Sequence, residues 1–325
     1  MRAVALMHQG DDSSQLQLTE LPEPIVTSAY VLVKVIYASL NPVDYKLINN
    51  QPDFWQYPYV PGLDCVGEVV SIGKGCTKFR PGDKVAVHGN LTFGGALAEY
   101  IAQPEHVLIG IPDGFDLKLA AALPCAGLTA YLALVRKMNV KAGKTIFIHG
   151  SSGGVGSFAT IIAKALGLVV IGSCSTKNID YVRNLGADTI LDYSTTDVYA
   201  AVETQFPDGV DYILETITKE NLQKDIKILA FNGQIASIVG ILDTHQIREF
   251  STGFGFHEIA LGGAYLSGHY PSQCDLAQMG NELIDLLLSQ NKQPRINEYS
   301  FDEVLAAFHD LQSGKNSGKI VVKIG

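Results

Sequence analysis

From residue 1 to about residue 122, apolar and β-branched residues come in short runs with Gly or Pro at nearly every interval: YVLVKVIYASLNP, DCVGEVVSIGKGC, RPGDKVAVHG, ALAEYIAQ and HVLIGIPDG. Short runs bounded by turn residues predict the strands of a mixed or antiparallel β domain. The opening MRAVALMHQG has five apolar residues in a row, short of a signal-peptide core, and reads as a first strand. From Leu117 the period becomes helical, with Leu119, Ala122, Leu123, Leu128, Leu132 and Val135 apolar around an interruption at Pro124. This stretch reads as a bridge between two domains.

Residues 145 to about 266 then alternate. Strands are predicted at 145–149, 168–172, 189–192, 210–214 and 233–239, with helices at 154–166, 178–185, 196–205 and 220–229 between them. Strands separated by helix-length segments predict parallel βαβ units. GLVVIG, GVDYILE and GQIASIVG are near-continuous apolar runs, as expected where helices cover both faces of a parallel sheet. An amphipathic helix follows at about 275–290, carrying Leu276, Met279, Leu283, Ile284, Leu286 and Leu287. The tail then gives a strand, a short helix near Phe301 and a final β run, Lys319 to Ile324. Being β-rich with turn-bounded elements, this tail is assigned back to the first domain.

A chain of 325 residues suits two domains. With 47% apolar and 18% charged residues it is globular, and no run approaches the roughly 18 consecutive apolar residues of a membrane span. Net charge is -9 and the cations are scattered, which argues against nucleic acid as a partner. Five widely separated cysteines suit reduced thiols, and none is spaced like a zinc clip. Cytoplasmic residence is the expectation.

The chemistry concentrates in TIFIHGSSGGVGSFATIIAKALG, Thr145 to Gly167. Ser151-Ser152-Gly153-Gly154-Val155-Gly156 has the spacing of G-x-G-x-x-G with serine first. Small residues let backbone N–H groups approach a pyrophosphate, the helix N-terminus adds partial positive charge, and Gly156 permits close helix–strand contact. A generic turn is the weaker alternative, because a strand precedes this one and an amphipathic helix follows. The end of the second strand decides the form of the cofactor: Gly172-Ser173-Cys174-Ser175-Thr176-Lys177-Asn178 has no acid before Asp180. That favours NADP(H), with Lys177 either a phosphate ligand or a solvated surface lysine.

NPVDYK at 41–46, PGLDCVGEV at 61–69, PGDKV at 81–85, LPCAGLTAY at 123–131, HGSSGGVG at 149–156, LGAD at 185–188 and GKIVV at 318–322 resemble, in order and over nearly the whole chain, the medium-chain dehydrogenase/reductases. Within them the chain looks like the zinc-independent quinone oxidoreductase and enone reductase branch, the zeta-crystallin-like proteins. The resemblance implies an α/β fold: a GroES-like β-rich catalytic domain from 1–122 and 275–325, plus a doubly wound parallel-sheet Rossmann domain over 123–274. It implies a nicotinamide in the cleft between them and a homodimer paired near IALGGAYLSG. It implies Asn41 and Thr129 near the nicotinamide and its ribose, and Ser152, Gly153, Gly154 and Val155 on the pyrophosphate. Ser175, Lys177 and Tyr193 fall around the 2′-phosphate, and the backbone of Val239 and Gly240 passes the nicotinamide. Counted back from LGAD, the phosphate lysine falls on Asn178, so Lys177 or Asn178 is left open.

A catalytic zinc needs three Cys, His or carboxylate ligands. Zinc relatives carry Cys where this chain has Asn41 and Gly-His-Glu where it has Gly62-Leu63-Asp64, so no metal is expected. Cys65 reads as a buried small hydrophobe. The reading is reduction of quinones or α,β-unsaturated carbonyls by NADPH, with Tyr45 and Tyr59 as candidate donors to the developing oxyanion and Asn41 behind them. A metal-free reductase of simple carbonyls and a non-catalytic NADPH-binding sensor or structural protein are the alternatives. PDFWQYPYVPG, 52–62, either lines the substrate mouth or packs as core, and His149 reads as structural.

Overall fold

A computed structural model describes residues 1–245, 247–248 and 251–325. The turn-punctuated strands fall where the apolar runs predict them. β1 (Arg2–Ala5) pairs antiparallel with β2 (Gln17–Glu20), Val4 opposite Leu18. β3 (Tyr30–Leu40) leads into α1 (Pro42–Asn50), where Pro42 holds the first helical position. β4 (Asp64–Ile72), β5 (Lys84–His88), β6 (Tyr100–Pro104) and a two-residue β7 (Ile109–Gly110) follow.

α2 (Leu117–Tyr131) continues without a break through Pro124 and passes into a π-helical segment, Leu132–Lys137. The missing hydrogen bond at Pro124, worth roughly 3 kcal/mol in an isolated helix, is tolerated because Ala120, Ala121, Ala122 and Leu123 are fully buried around it. Leu117–Lys137 is long and apolar enough to cross a membrane, but 78% of its most apolar window is buried, as in a core helix.

Next come β8 (Thr145–Ile148), α3 (Gly154–Ala165), β9 (Val169–Cys174), α4 (Ile179–Leu185) and β10 (Thr189–Asp192). α5 (Val198–Gln205), β11 (Val210–Glu215), α6 (Leu222–Ile228), β12 (Leu229–Ser237) and β13 (Gly255–Glu258) complete the alternation. These strands form one parallel sheet in the order β10-β9-β8-β11-β12-β13. Counted from β8 that is 3-2-1-4-5-6, the doubly wound dinucleotide-binding order, which reverses between β8 and β11. Phe147, Ile171, Ile213 and Ile235 form the centre of its core.

α7 (Gly263–Leu266), α8 (Tyr270–Ser289), β14 (Ile296–Ser300), α9 (Val304–Gln312) and β15 (Lys319–Lys323) end the chain. β14 and β15 pair in parallel, and β15 joins β3 antiparallel with Ile320 opposite Leu40. The second sheet thus runs β14-β15-β3-β4-β5-β7, with β6 also on β3. Arg295–Gly325, which carries β14, α9 and β15, lies in the first unit.

The boundaries differ from 1–122, 123–274 and 275–325. One compact unit holds Met1–Leu128, Gly262–Glu282 and Arg295–Gly325; the other holds Thr129–Leu261 and Leu283–Pro294. The segment from Gly262 joins the first because Tyr265 donates from its hydroxyl to the His88 carbonyl and His106 meets Gln273 at 2.9 Å. Leu283–Pro294 joins the second, where Lys292 packs beside Gly186. IALGGAYLSG supplies no strand: α7 occupies its middle, and the sheet's edge is β13, whose GFHE lacks the apolar alternation that marks a strand.

Candidate active site

In the doubly wound unit, the turn after β8 is shaped by what cannot fit. Gly150 has φ +63°, and a Cβ there would stand 2.5 Å from the Ile217 side chain. A Cβ on Gly156 would lie 2.2 Å from the Gly150 carbonyl, so the first turn of α3 can lie against the end of β8 only with glycine. Ser151 is wholly buried, taking its N–H to the Ser173 carbonyl at 2.9 Å and its hydroxyl to the Ile148 carbonyl at 3.0 Å. Ser152, Gly153, Gly154 and Val155 are half-buried, and no side chain caps the start of α3. A helix N-terminus without a side-chain cap, on a glycine turn at the sheet's switch point, fits a pyrophosphate.

The loop after β9 sorts the two neighbouring candidates. Asn178 is buried and donates from its amide to Ser152 Oγ at 3.3 Å and Ser175 Oγ at 3.2 Å, tying the cradle to the loop. Lys177 is exposed, as are Thr176 and Tyr193. An acid absent from the loop's own sequence also arrives: Asp192, at the end of β10, accepts the Thr176 hydroxyl and the Ser194 N–H. The Thr176 hydroxyl leads the effects that hold its carboxyl below the usual range. The loop's own sequence carries no sign of Asp192, because the acid comes from the adjacent strand in register with Cys174. Thr129 is buried, and beyond β12 the Gly240 carbonyl accepts from Ser237 Oγ at 2.8 Å beside a half-buried Val239.

The first unit holds a separate buried network. Asn41, between β3 and α1, is 2% exposed. Its backbone N–H reaches Asp44 Oδ2 at 2.6 Å, its amide donates to Asp64 Oδ2 at 2.8 Å, and its side-chain oxygen accepts from Lys319 Nζ. Asp64 Oδ1 meets His88 Nδ1 at 2.9 Å, and Oδ2 also accepts the Cys125 N–H at 2.9 Å. Burial, reinforced by the charge of Asp64, pushes the Asp44 carboxyl up to about 7 against the backbone donors that pull it down. Its Oδ1 has no hydrogen-bond partner. Burial likewise raises the thiols of Cys65 and Cys125, so neither offers a ready thiolate.

Asp64, His88 and Cys125 bring their donor atoms within 4.8 Å of one another, and three such groups invite a metal. The set does not fit one. Both Asp64 oxygens already take protein donors, and the Lys319 ammonium stands 4.0 Å from Oδ2, where it opposes a second cation.

The aromatic stretch divides: Phe54, Gln56 and Pro58 line a surface pocket with Thr92 and Phe93, while two rings pack inside. Trp55 and Tyr59 are buried and stack with ring centroids 3.7 Å apart. Trp55 Nε1 and the Tyr59 hydroxyl both donate to the Leu91 carbonyl, at 2.9 and 3.1 Å. Tyr59 therefore has its proton engaged, and burial raises its hydroxyl further. Tyr45, on α1, is half-buried.

Residues 27–113 match the family described as alcohol dehydrogenase GroES-like domain, and residues 154–283 that described as zinc-binding dehydrogenase. The chain is 34% identical over 244 residues to a quinone-oxidoreductase, QR1, of Triphysaria versicolor, covering 70% of this chain and 74% of that one. A trans-enoyl reductase, pgmF, of Aspergillus terreus is 41% identical over 189 residues, 54% of this chain and 52% of its own. Among solved structures, an alcohol dehydrogenase superfamily protein from Novosphingobium aromaticivorans superposes over all of both chains with a TM-score of 0.89 at 26% identity. Cradle, strand order and relatives agree on a nicotinamide-type oxidoreductase, and the chain belongs to the medium-chain dehydrogenase/reductases, in their zinc-independent quinone and enone reductase branch.

Proposed function

We propose that the protein is an NADPH-dependent reductase of quinones or α,β-unsaturated carbonyl compounds that acts without a metal. One observation carries the reading: the carboxylate of Asp64, at one of the positions where zinc relatives place a ligand, is saturated by Asn41, His88 and the Cys125 N–H with Lys319 beside it, so its oxygens are spent on protein. A conjugated acceptor needs no Lewis acid, only donors placed where negative charge develops.

NADPH, when bound, supplies a hydride to an acceptor carbon already activated by conjugation. Ser152 to Val155 hold the pyrophosphate at the head of α3, and Asn178 keeps that turn registered with Ser175. Ser175, Lys177 and Tyr193 receive the 2′-phosphate, and the exposure of Lys177 against the burial of Asn178 favours the lysine as its cation. Asn41, its amide engaged on both sides, fixes the end of β3 and the start of α1; Tyr45 on that helix is the donor to the developing enolate or phenolate oxygen.

The reading is tested by following NADPH oxidation with 9,10-phenanthrenequinone, 1,4-benzoquinone, a 2-alkenal and a saturated aldehyde. Turnover of the first three and not the last is expected. Turnover of the saturated aldehyde alone would replace the reading with a simple carbonyl reductase, and tight NADPH binding without any turnover with a sensor.

A further inference from the structure

Beneath the dinucleotide cradle lies a group of side chains that the reduction does not use. His149 follows β8, Glu215 is the last residue of β11, and Asp225 sits in α6. His149 is 3% exposed and the two acids 0%. His149 Nε2 lies 2.8 Å from Asp225 Oδ1 and 3.3 Å from Glu215 Oε2.

The group is short of positive charge. One imidazole, even protonated, faces two carboxylates, and a buried carboxylate is costly unless compensated. Two oxygens, Glu215 Oε2 and Asp225 Oδ2, have no hydrogen-bond partner. They are not loosely held. The N–H groups of Ile217 and Thr218 bind Glu215 Oε1 at 2.5 and 3.0 Å, which turns Oε2 toward the imidazole, and the Tyr199 hydroxyl donates to Asp225 Oδ1 at 3.2 Å. All the candidate donor atoms lie within 4.8 Å of one another.

A proton shared at 2.8 Å between His149 Nε2 and Asp225 Oδ1 meets part of the deficit, but it leaves Glu215 Oε2 and Asp225 Oδ2 without a partner, and these donor types suit a cation drawn in among them. One imidazole nitrogen and two carboxylate oxygens are a zinc-type set, and neighbouring donors in a tetrahedral site with bonds of about 2.0–2.1 Å stand about 3.3 Å apart. We propose that His149, Glu215 and Asp225 bind one zinc-type divalent cation, with water as the fourth ligand. The cation ties the ends of β8 and β11 to α6 at the base of the glycine turn. That base is already cross-braced: Thr216 Oγ1 donates to the His149 carbonyl at 2.8 Å, and the Ile217 side chain fills the space over Gly150. Its role is to hold the cradle in shape, separate from the reduction and from the Asp64 group.

The test strips the full-length protein with a chelator and then adds zinc, with cobalt(II) as a visible reporter of coordination. One ion per chain and a raised melting temperature are expected for the wild type. E215Q and D225N should each weaken binding by about 10- to 100-fold or more, while D64N keeps it. An anomalous-scattering map of zinc-loaded wild-type crystals locates the ion even if a variant fails to fold. No stoichiometric ion in the wild type, binding that survives both E215Q and D225N, or binding lost only in D64N would overturn the proposal. The first outcome would mean that a proton fills the place.

Discussion

Lys319 places its ammonium on the side-chain oxygen of Asn41, from a strand 278 residues further along the chain, and stands 4.0 Å from Asp64 Oδ2. Among the described residues it is the ammonium beside a buried carboxylate otherwise held by an amide, an imidazole and a backbone N–H. Removing it strands that charge. K319M should destabilise the protein by about 3–5 kcal/mol, and D64N added to K319M should recover part of the loss, because the uncompensated carboxylate is then gone. Urea unfolding of the two variants checks both halves.

Asp44 sets a pH dependence. Its folded-state carboxyl titrates at about 7 against 3.8 unfolded, so the native state keeps its proton longer as pH rises. The contribution is full below about pH 4 and is lost as pH climbs through 7, for an upper bound of about 4 kcal/mol. D44N should therefore gain stability relative to wild type between pH 5 and 8, read from melting curves across that range. A difference that does not change with pH would remove Asp44 from the account.

The two tyrosines separate by variant. Y59F loses one of two donors to the Leu91 carbonyl and should cost about 0.5–1.5 kcal/mol of stability with kcat unchanged. Y45F should lower kcat by about 10- to 100-fold with the melting temperature held. Equal losses of kcat in both would contradict the assignment.

Asp192 opposes the anion that the loop after β9 is proposed to hold, with Thr176 as its hydroxyl partner. D192N should shift the ratio of NADPH to NADH affinity toward NADPH by about 3- to 10-fold. Fluorescence titration with each cofactor measures it.

G156A tests the cradle. A Cβ that would fall 2.2 Å from the Gly150 carbonyl forces the turn away from α3, and NADPH should bind at least about tenfold more weakly in a variant that keeps its circular dichroism.

Much of this was legible beforehand, because the strand and helix periods of residues 145–237 are written in apolar spacing and the glycines mark the one turn that must be tight. What stayed hidden depends on neighbours distant in sequence. Nothing near Asp192 says that β10 will lie beside β9, and nothing near Lys319 says that β15 will begin beside Asn41. Nothing in the spacing of Tyr59 to Leu91 signals that the Leu91 carbonyl takes its proton. Pro124 read as an interruption because its local cost is visible in sequence and the burial that offsets it is not.

β3 is the longest wait in the molecule. It pairs with β4 and β6 early in the chain, yet its C-terminal half stays an open edge until β15 arrives. During synthesis the parallel-sheet unit can mature while that edge is bare, and the Asn41 network stays incomplete until residue 319 has been made. The contact that closes it joins residues 278 apart in sequence, so the most buried polar network of the first unit is also among its most non-local.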